Sequence, residues 1–204
     1  MYVYTPEDFM TVFYTASWFG KKKYQKEFDL VRKTIEEFGV KLISTEGGNY
    51  QEVLDETTRE KLKNEPKLLH YEAIRQGIHL AEAVIIETSH EDFQLGHEAS
   101  LAIAEKKPVL CLSVNEDLGK RIYNDYFFGA KYTKSTVKKV IQDFLAKARQ
   151  LSLSKRFNLF LYPHQVEYLQ AVAKREGVNM SEYIRKLISL DRRGRSAIMA
   201  KKYV

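Results

Sequence analysis

The chain has little cysteine and proline and no long apolar run, and each shortage excludes a class of protein. Its single cysteine, Cys111, cannot form an internal disulfide and cannot build a zinc site alone, which excludes a disulfide-stapled fold. No stretch approaches the roughly eighteen apolar residues of a membrane-spanning helix, and the N-terminus lacks the basic start and apolar core of a signal peptide. We therefore expect a cytoplasmic protein with no membrane partner.

Sequence motifs for common cofactors are also absent. The chain has no P-loop, no dinucleotide-binding glycine fingerprint and no metal-ligand spacing among its five histidines. We therefore expect neither a metal nor a cofactor. The composition, with 44% hydrophobic and 29% charged residues, is instead that of a folded globular protein.

Positive charge is concentrated at the C-terminal end of the sequence. From residue 151 onward there are eleven Lys and Arg and four acids, a net charge of +7, whereas the first 150 residues carry 22 basic and 23 acidic side chains, a net charge of −1. This asymmetry predicts two units, the second a candidate for binding nucleic acid or another polyanion. A solvated basic tail is the alternative, and charge alone does not separate the two. We place an α/β domain over 1–149, a linker over 150–154, a small unit over 155–190 and a basic tail over 191–204.

Apolar runs typical of strands alternate with amphipathic stretches typical of helices in the first unit. Strands are predicted at 12–15, 40–44, 83–87, 109–112 and 131–133, and helices at 24–38, 56–80 (interrupted near Pro66), 95–105, 116–123 and 135–149. This alternation predicts a doubly wound α/β fold, a parallel sheet covered by helices on both faces. In a flavodoxin-like strand order the first and third strands are neighbours, and ligands bind beyond their carboxyl ends. A site is therefore expected at the loops 16–20 and 89–96.

The second unit is predicted to contain one strand and two helices. A half-buried strand over 157–161 ends before Pro163, a helix closes at Gly177, and a second helix opens at Ser181 as its N-cap. Predicted inward-facing residues are Val166, Leu169, Val172 and Ala173 in the first helix, and Tyr183, Ile184, Leu187 and Ile188 in the second. So small a unit cannot bury an adequate core alone, and its lone strand has unpaired edges. We therefore predict a homodimer or a higher even oligomer.

Glu98 is the candidate nucleophile of the first unit. It lies in the first turns of the helix that follows the third strand, where the helix dipole and free amides stabilise a carboxylate. Held over a cleft, such a group can attack an electrophilic carbon such as the anomeric carbon of a nucleoside. The alternative is an acid that merely favours the helix. We expect Glu87 to be a strand-end acid in water and His97 a surface histidine.

A resemblance to a known family is carried by the run YEAIRQGIHLAEAVIIETSHEDFQLGHEASLAIAEKKPVLCLS, together with VFYTAS and FGVKLIST. Residues 11–148 resemble the nucleoside 2-deoxyribosyltransferase superfamily, especially its 2'-deoxynucleoside 5'-monophosphate N-hydrolase branch. The most specific part is a glycine directly before a helical glutamate, followed by Ala and Lys-Pro-Val. In that family the glutamate, here Glu98, is the nucleophile. The resemblance implies cleavage of an N-glycosidic bond through a covalent glycosyl-enzyme, with retention at the anomeric carbon.

The chain differs from that family at the positions that bind phosphate and at the second carboxylate. Ala16-Ser17 stands for Gly-Ser, Phe19 for an arginine, Ile74 for an aspartate, and Asp92 and Gln94 for the Ser and Gly of a Ser-x-Gly pattern. Glu72 lies near Ile74 but points about half a turn away round the helix. Because an aspartate repels phosphate, an uncharged nucleoside or another ribosyl compound fits better than a 5'-monophosphate.

Two groups of site residues follow for the first unit. Asp92 is a candidate for the missing second carboxylate, beside the catalytic Glu98. The predicted substrate-binding residues are Ser17, Trp18, Phe19, Gly96 and His97.

The second unit resembles the ribbon-helix-helix family of DNA-binding dimers over KRFNLFLYPHQVEYLQAVAKREGVNMSEYIRKLISL, residues 155–190. In that family two strands form an antiparallel ribbon in the major groove, and outward strand residues contact bases. The resemblance implies that Arg156 pairs with guanine and Asn158 with adenine, while the amides of residues 180–182 hold a phosphate. The implied DNA-binding residues are Lys155, Arg156, Asn158, Phe160, Ser181, Arg185 and Lys186.

Three functions remain open at this stage. The first is a nucleoside or nucleotide N-glycosidase or deoxyribosyltransferase, with a nucleoside-like small molecule as partner and a tail that dimerises it and tethers it to DNA. The second is a ribbon-helix-helix transcriptional regulator whose α/β domain senses a nucleotide-like ligand without catalysis. The third is a scaffold in which the C-terminal unit only pairs chains.

Overall fold

The computed structural model describes residues 9–151, 159–188 and 190–191. The chain divides into two units, Met1–Leu153 and Ser154–Val204. Within the described residues no helix combines the length and apolar character needed to cross a lipid bilayer.

The first unit is built on a sheet of five parallel strands: β1 Thr11–Ala16, β2 Lys41–Ser44, β3 Ala83–Glu87, β4 Val109–Ser113 and β5 Phe127–Lys131. The strand order is β2-β1-β3-β4-β5, so the winding direction reverses between β1 and β3. This order confirms the predicted doubly wound α/β fold of the flavodoxin-like kind. The strands β3 and β4 are buried along their whole length, as expected of strands covered on both faces.

Helices cover both faces of the sheet: α1 Lys21–Glu36, α3 Pro66–Leu80, α4 Phe93–Ala104 and α5 Val137–Leu151. The short helix α2 Glu56–Leu62 has no buried residue, and 3-10 helices lie at Tyr50–Val53 and Leu118–Lys120. Successive residues of β1 point to opposite faces. Tyr14 packs in a core with residues of α1 and α5, whereas Phe13 packs in a second core with residues of α3 and α4. The site-bearing helix α4 is thus fixed by its apolar residues against the α3 side of the sheet.

Three sequence predictions at the C-terminal part of this unit are wrong in their bounds. The last strand lies at Phe127–Lys131 rather than 131–133, because an edge strand containing glycine lacks a clear alternating pattern. The helix predicted over 116–123 is one short 3-10 turn, Leu118–Lys120. Helix α5 continues to Leu151, so the first two residues of the predicted linker belong to it.

Gly77 permits the close approach of α3 to the sheet, and we expect Gly77→Ala to destabilise the fold. A methyl group at this position would lie 2.6 Å from the Phe13 ring, which is fully buried and cannot move aside. Overpacking of this kind costs about 1–3 kcal/mol. Urea unfolding should detect the loss, with Gly96→Ala as control, because a methyl group at Gly96 would contact nothing within 4 Å. Equal stability of Gly77→Ala and the wild type would contradict this packing.

The second unit contains the helix α6, Pro163–Glu176, which ends at Gly177 as predicted. Gly177 has the left-handed conformation typical of a helix C-terminus. A further helix covers 180–188, and its N-cap is Asn179, whose side chain accepts a hydrogen bond from the Glu182 amide at 2.9 Å. The prediction of Ser181 as the cap is therefore wrong by two residues. Among the described residues of this unit, the buried apolar ones are Leu169, Val172, Ala173 and Tyr183.

Two predicted inward-facing residues and the predicted strand of the second unit differ from the structure. Leu187 and Ile188 were predicted to face inward but are 42% and 63% exposed in the single chain. Residues 159–161 of the predicted strand are not in a strand, and 157–158 lie outside the described residues, as does the basic tail from 192 onward. The described part of the unit thus leaves much of its apolar surface uncovered.

Candidate functional site

A cavity of about 570 Å³ opens at the carboxyl ends of β1 and β3, where Ala16 pairs with Glu87. Both loops expected from the switch-point argument contribute to its wall. The residues that line it are Thr15, Ala16, Ser17, Trp18, Phe19, Lys21, Thr45, Glu46, Tyr50, Pro66, Lys67, His70, Asp92, Gln94 and Leu95. It is of the size that small-molecule sites occupy.

Glu98 lies under the floor of this cavity, not in its lining. The side chain is buried, with 1% of the residue exposed, and its Oε1 accepts a hydrogen bond of 2.8 Å from Gln94 Nε2. Its Oε2 is buried and has no hydrogen-bond partner. Burial raises the pKa of Glu98 to about 7, and the nearby Asp92 charge adds to the rise, whereas Gln94 and the Thr15 hydroxyl lower this pKa. A carboxyl with one orphaned oxygen thus lies behind Gln94 and Thr15, both of which line the cavity.

Asp92 has both carboxylate oxygens engaged in holding the backbone. It is the N-cap of α4 and accepts a hydrogen bond of 3.0 Å from the Leu95 amide at Oδ1. The Ser17 hydroxyl donates to its Oδ2, and Ser17 Oγ itself accepts from the Gly20 amide at 3.3 Å. This arrangement ties the loop after β1 to the start of α4. In it Asp92 shapes the cavity wall and has no carboxylate oxygen left unbonded.

Two exposed aromatic rings form the rim of the cavity. Trp18 and Phe19 are 73% and 77% exposed, although large apolar rings are normally covered. The Lys21 ammonium lies 4.5 Å from the Trp18 ring centroid and 3.0 Å from Glu46. Exposed rings beside a polar cavity offer a stacking surface for a flat ligand.

Tyr50 and His70 belong to the cavity but were not predicted from the sequence. Tyr50 Oη lies 2.8 Å from His70 Nδ1, and His70 Nε2 lies 3.1 Å from Gln94 Nε2. Burial lowers the pKa of His70. The sequence contains no local signal for either residue. It does indicate that Gln94 lies beside Glu98, because Gln94 precedes Glu98 by four residues and therefore shares its face of α4.

The remaining predicted residues of the first unit lie beside the cavity or away from it. Gly96 is exposed and does not line the cavity. His97 is stacked on the outer surface between Tyr71 and Phe93, at ring centroid distances of 5.9 and 6.5 Å. Ile74 is a core residue, and Glu72 pairs with Arg75. No carboxylate of α3 therefore takes the place of the family's aspartate.

The prediction of Glu87 as a strand-end acid in water is wrong. The residue is fully buried, and its carboxylate accepts hydrogen bonds from Tyr132 Oη at 2.9 Å, from the Ser89 hydroxyl and from the Ser89 amide at 3.1 Å. Burial raises the pKa of Glu87, although these donors lower it. Burial and the Glu87 charge also raise the pKa of Tyr132. The partner that satisfies this acid, Tyr132, is 45 residues away, which no local pattern indicates.

The predicted DNA-binding residues are only partly described. Lys155, Arg156 and Asn158 lie outside the described residues. Phe160 is 97% exposed, Ser181 and Arg185 lie on the helix over 180–188, and Lys186 of that helix pairs with Glu176.

Comparison of the sequence with known proteins gives no relative on which to base a function. The deoxyribosyltransferase-like and ribbon-helix-helix resemblances of the two units therefore stay predictions from the sequence. None of the known protein-family models matches this chain, and no curated protein matches it.

Proposed function

We propose that the first unit is a nucleoside N-glycosidase or deoxyribosyltransferase that uses Glu98 as its nucleophile. The observation that carries this proposal is the state of the Glu98 carboxyl, which is buried beneath a cavity at the switch point and keeps one oxygen without a partner. An acid whose only role is to favour the start of a helix gains most of its interaction with the helix dipole when it is exposed to water. It then avoids the free-energy cost of desolvation. Carboxyl groups that lie beside a cavity and have a shifted pKa are typical of functional sites.

The charges around the cavity favour an uncharged substrate. The charged side chains that line it are Lys21, Lys67, Glu46 and Asp92, two of each sign. The charge of Lys21 is matched by Glu46 at 3.0 Å. A balanced lining offers little attraction to a phosphate dianion but suits a neutral nucleoside, whose base can stack on the exposed Trp18 or Phe19 ring.

The proposed reaction uses the Glu98 carboxylate in two steps. The exposed Gln94 side chain turns away from Oε1, which opens the cavity floor to the carboxylate. One oxygen of Glu98 then attacks the anomeric carbon, forming a C–O bond as the C–N bond breaks, and the electron pair leaves with the base, which takes a proton from solvent. Water, or a second free base, then attacks the same carbon, loses a proton to solvent and releases the carboxylate, so the configuration is retained overall. The reactive form is the carboxylate, so we expect the rate to rise with pH through the Glu98 pKa of about 7.

The proposal is tested by incubating the full-length protein with ribo- and deoxyribonucleosides, their 5'-monophosphates and a second free base, with the products separated by chromatography. We expect release or exchange of base from at least one uncharged nucleoside, faster at pH 8 than at pH 6. Stable substrates across the whole panel would overturn the proposal and leave the ligand-sensing and scaffold functions open for this unit.

For the second unit we propose pairing with a second copy of the chain. An apolar groove of about 470 Å³ is lined by Leu159, Leu161, His164, Gln165, Tyr168, Leu169, Ile184 and Leu187. Large apolar side chains left exposed in this unit are Leu159, Phe160, Tyr162, Tyr168, Met180, Leu187, Ile188 and Leu190. An exposed apolar surface this large on so small a unit is typical of a protein–protein interface. The same surface of a second copy can bury it in a symmetric dimer. DNA binding by the pair is the further prediction, tested by salt-dependent binding to duplex DNA.

A further inference from the structure

A chain of hydrogen bonds connects the buried Glu98 carboxyl to the Tyr50 hydroxyl at the cavity wall. Gln94 Nε2 is 2.8 Å from Glu98 Oε1 and 3.1 Å from His70 Nε2. His70 Nδ1 is 2.8 Å from Tyr50 Oη, which also accepts from Gln51 Nε2 at 3.0 Å. Three separate elements, α4, α3 and the 3-10 helix at Tyr50–Val53, are joined in this way.

The carboxylate form of Glu98 fixes the direction of every bond in this chain. A carboxylate only accepts hydrogen bonds, so Gln94 must present its NH₂ group, and the second hydrogen of that group reaches His70 Nε2. His70 Nε2 is then an acceptor, and its proton lies on Nδ1, from which it is donated to Tyr50. Tyr50 Oη accepts twice and keeps its own hydrogen for the cavity, which Tyr50 lines.

The protonated form of Glu98 allows the chain to run in the opposite direction. A carboxylic acid with its hydrogen on Oε1 donates, and Gln94 can accept that hydrogen by turning its amide so that the oxygen faces Glu98. The same amide oxygen then accepts from His70 Nε2–H, which leaves Nδ1 as the acceptor of the Tyr50 hydrogen. In this arrangement Tyr50 presents only a lone pair to the cavity.

We propose that the protonation state of Glu98 determines, through Gln94 and His70, whether Tyr50 offers the cavity a hydrogen-bond donor or an acceptor. Gln94 and His70 are positioning residues in this scheme, and Tyr50 is the residue that contacts the ligand. The charged, nucleophilic form of Glu98 therefore selects a ligand with an acceptor at Tyr50, such as a sugar hydroxyl oxygen or a base carbonyl. By linkage such a ligand stabilises the carboxylate in return. The inference rests on the proposed use of this cavity as a ligand site but not on cleavage.

Several ionisable groups near this chain bear on its response to pH. The chain itself contains Glu98, His70 and Tyr50. The charged side chains around them are Asp92 at the start of α4, Lys67 on α3, Lys21 on α1 and Glu46 in the loop after β2. Of these only Asp92 contributes to the pKa of Glu98, which it raises.

The experiment follows the ring nitrogens of His70 in the full-length protein by long-range ¹⁵N–¹H NMR from pH 5.5 to 8.5, with His70→Gln for assignment. A neutral ring distinguishes its two nitrogens by a large ¹⁵N shift difference, whereas an imidazolium does not. We expect the proton on Nδ1 at pH 8.5 and on Nε2 of a neutral ring once Glu98 is protonated.

Two variants make the result specific to the coupling. Glu98→Met removes the titrating group, and Gln94→Leu removes the connection, so in both the His70 tautomer should no longer change near the Glu98 transition. A wild-type His70 that keeps one neutral tautomer throughout, or a change that persists in Gln94→Leu, would overturn the inference. Because the readout needs no substrate, it can succeed even if base release is never observed.

Discussion

Replacing Glu98 with Gln is expected to lower base release by a factor of about a thousand or more while making the fold more stable at alkaline pH. The loss of activity follows because an amide cannot form the covalent glycosyl ester. The gain in stability follows because the folded state holds a carboxylate out of water with its Oε2 unpartnered. Such a trade of stability for function distinguishes a reactive buried acid from a structural one.

The sign of the stability effect follows from linkage. Burial raises the pKa of Glu98 from 4.5 to about 7, so between these values the folded state binds more protons than the unfolded state. The contribution of Glu98 to stability is therefore fully present below pH 4.5 and is lost as the pH rises through 7. The difference between pH 5 and pH 8 amounts to roughly 2–3 kcal/mol, which a neutral residue at this position does not lose.

Urea unfolding at pH 5 and pH 8 measures this effect in the wild type and in Glu98→Gln. The variant should gain about 2–3 kcal/mol relative to the wild type on going from pH 5 to pH 8. Glu91→Gln is a matched control, since Glu91 is an exposed acid in the loop before α4 and its replacement should change stability by less than about 0.5 kcal/mol. Retained base release in Glu98→Gln would exclude Glu98 as the nucleophile, and a pH-independent stability difference would contradict its burial as a carboxyl.

Leu187→Asp is expected to raise the dissociation constant of the proposed homodimer at least a hundredfold. Leu187 lines the apolar groove of the second unit but is 42% exposed in the single chain, so an aspartate there costs the isolated chain little. In a two-fold pair each substitution is present twice, and burying two carboxylates without partners costs several kcal/mol. The chain should therefore remain folded but become monomeric at micromolar concentration.

Sedimentation equilibrium of the full-length protein measures this change. Gln170→Asp serves as the control, because Gln170 is an exposed residue of α6 outside the groove, and this variant should associate like the wild type. An unchanged dissociation constant for Leu187→Asp would show that the groove is not the interface. A wild-type chain that is monomeric at every concentration would exclude pairing altogether.

Much of the fold could be predicted because its signals are local. The strand β3, Ala83–Glu87, is an apolar run with sharp ends, and the stripe from Tyr24 to Ile35 has the period of a helix that packs on one face. The strand β5 gave a weaker signal, since Gly129 interrupts it and its residues are only partly buried. In the second unit Asn179 and Ser181 are equally good caps by composition, and only the backbone distinguishes them.

The candidate site could be predicted only where it lies next to a strand end in the sequence. Ser17 and Trp18 follow β1 directly and Asp92 ends the loop after β3, so the switch-point rule is enough to find them. Tyr50 and His70 come from the segment between β2 and β3 and reach the cavity through tertiary packing. Glu87 was misplaced for the same reason, because the hydroxyl that satisfies it belongs to Tyr132, far along the chain.

Trp18 gives the cavity a tryptophan fluorescence signal that no other residue of the sequence shares. It is the one tryptophan in the sequence, and it stands on the rim with its ring largely in water and the Lys21 ammonium 4.5 Å from its centroid. Indole emission responds to solvent and to nearby charge, so the fluorescence excited at wavelengths that the thirteen tyrosines do not absorb originates at the mouth of the cavity. The chain therefore has an intrinsic fluorophore at its candidate site, and ligand binding to the cavity can be followed in the native sequence without any label.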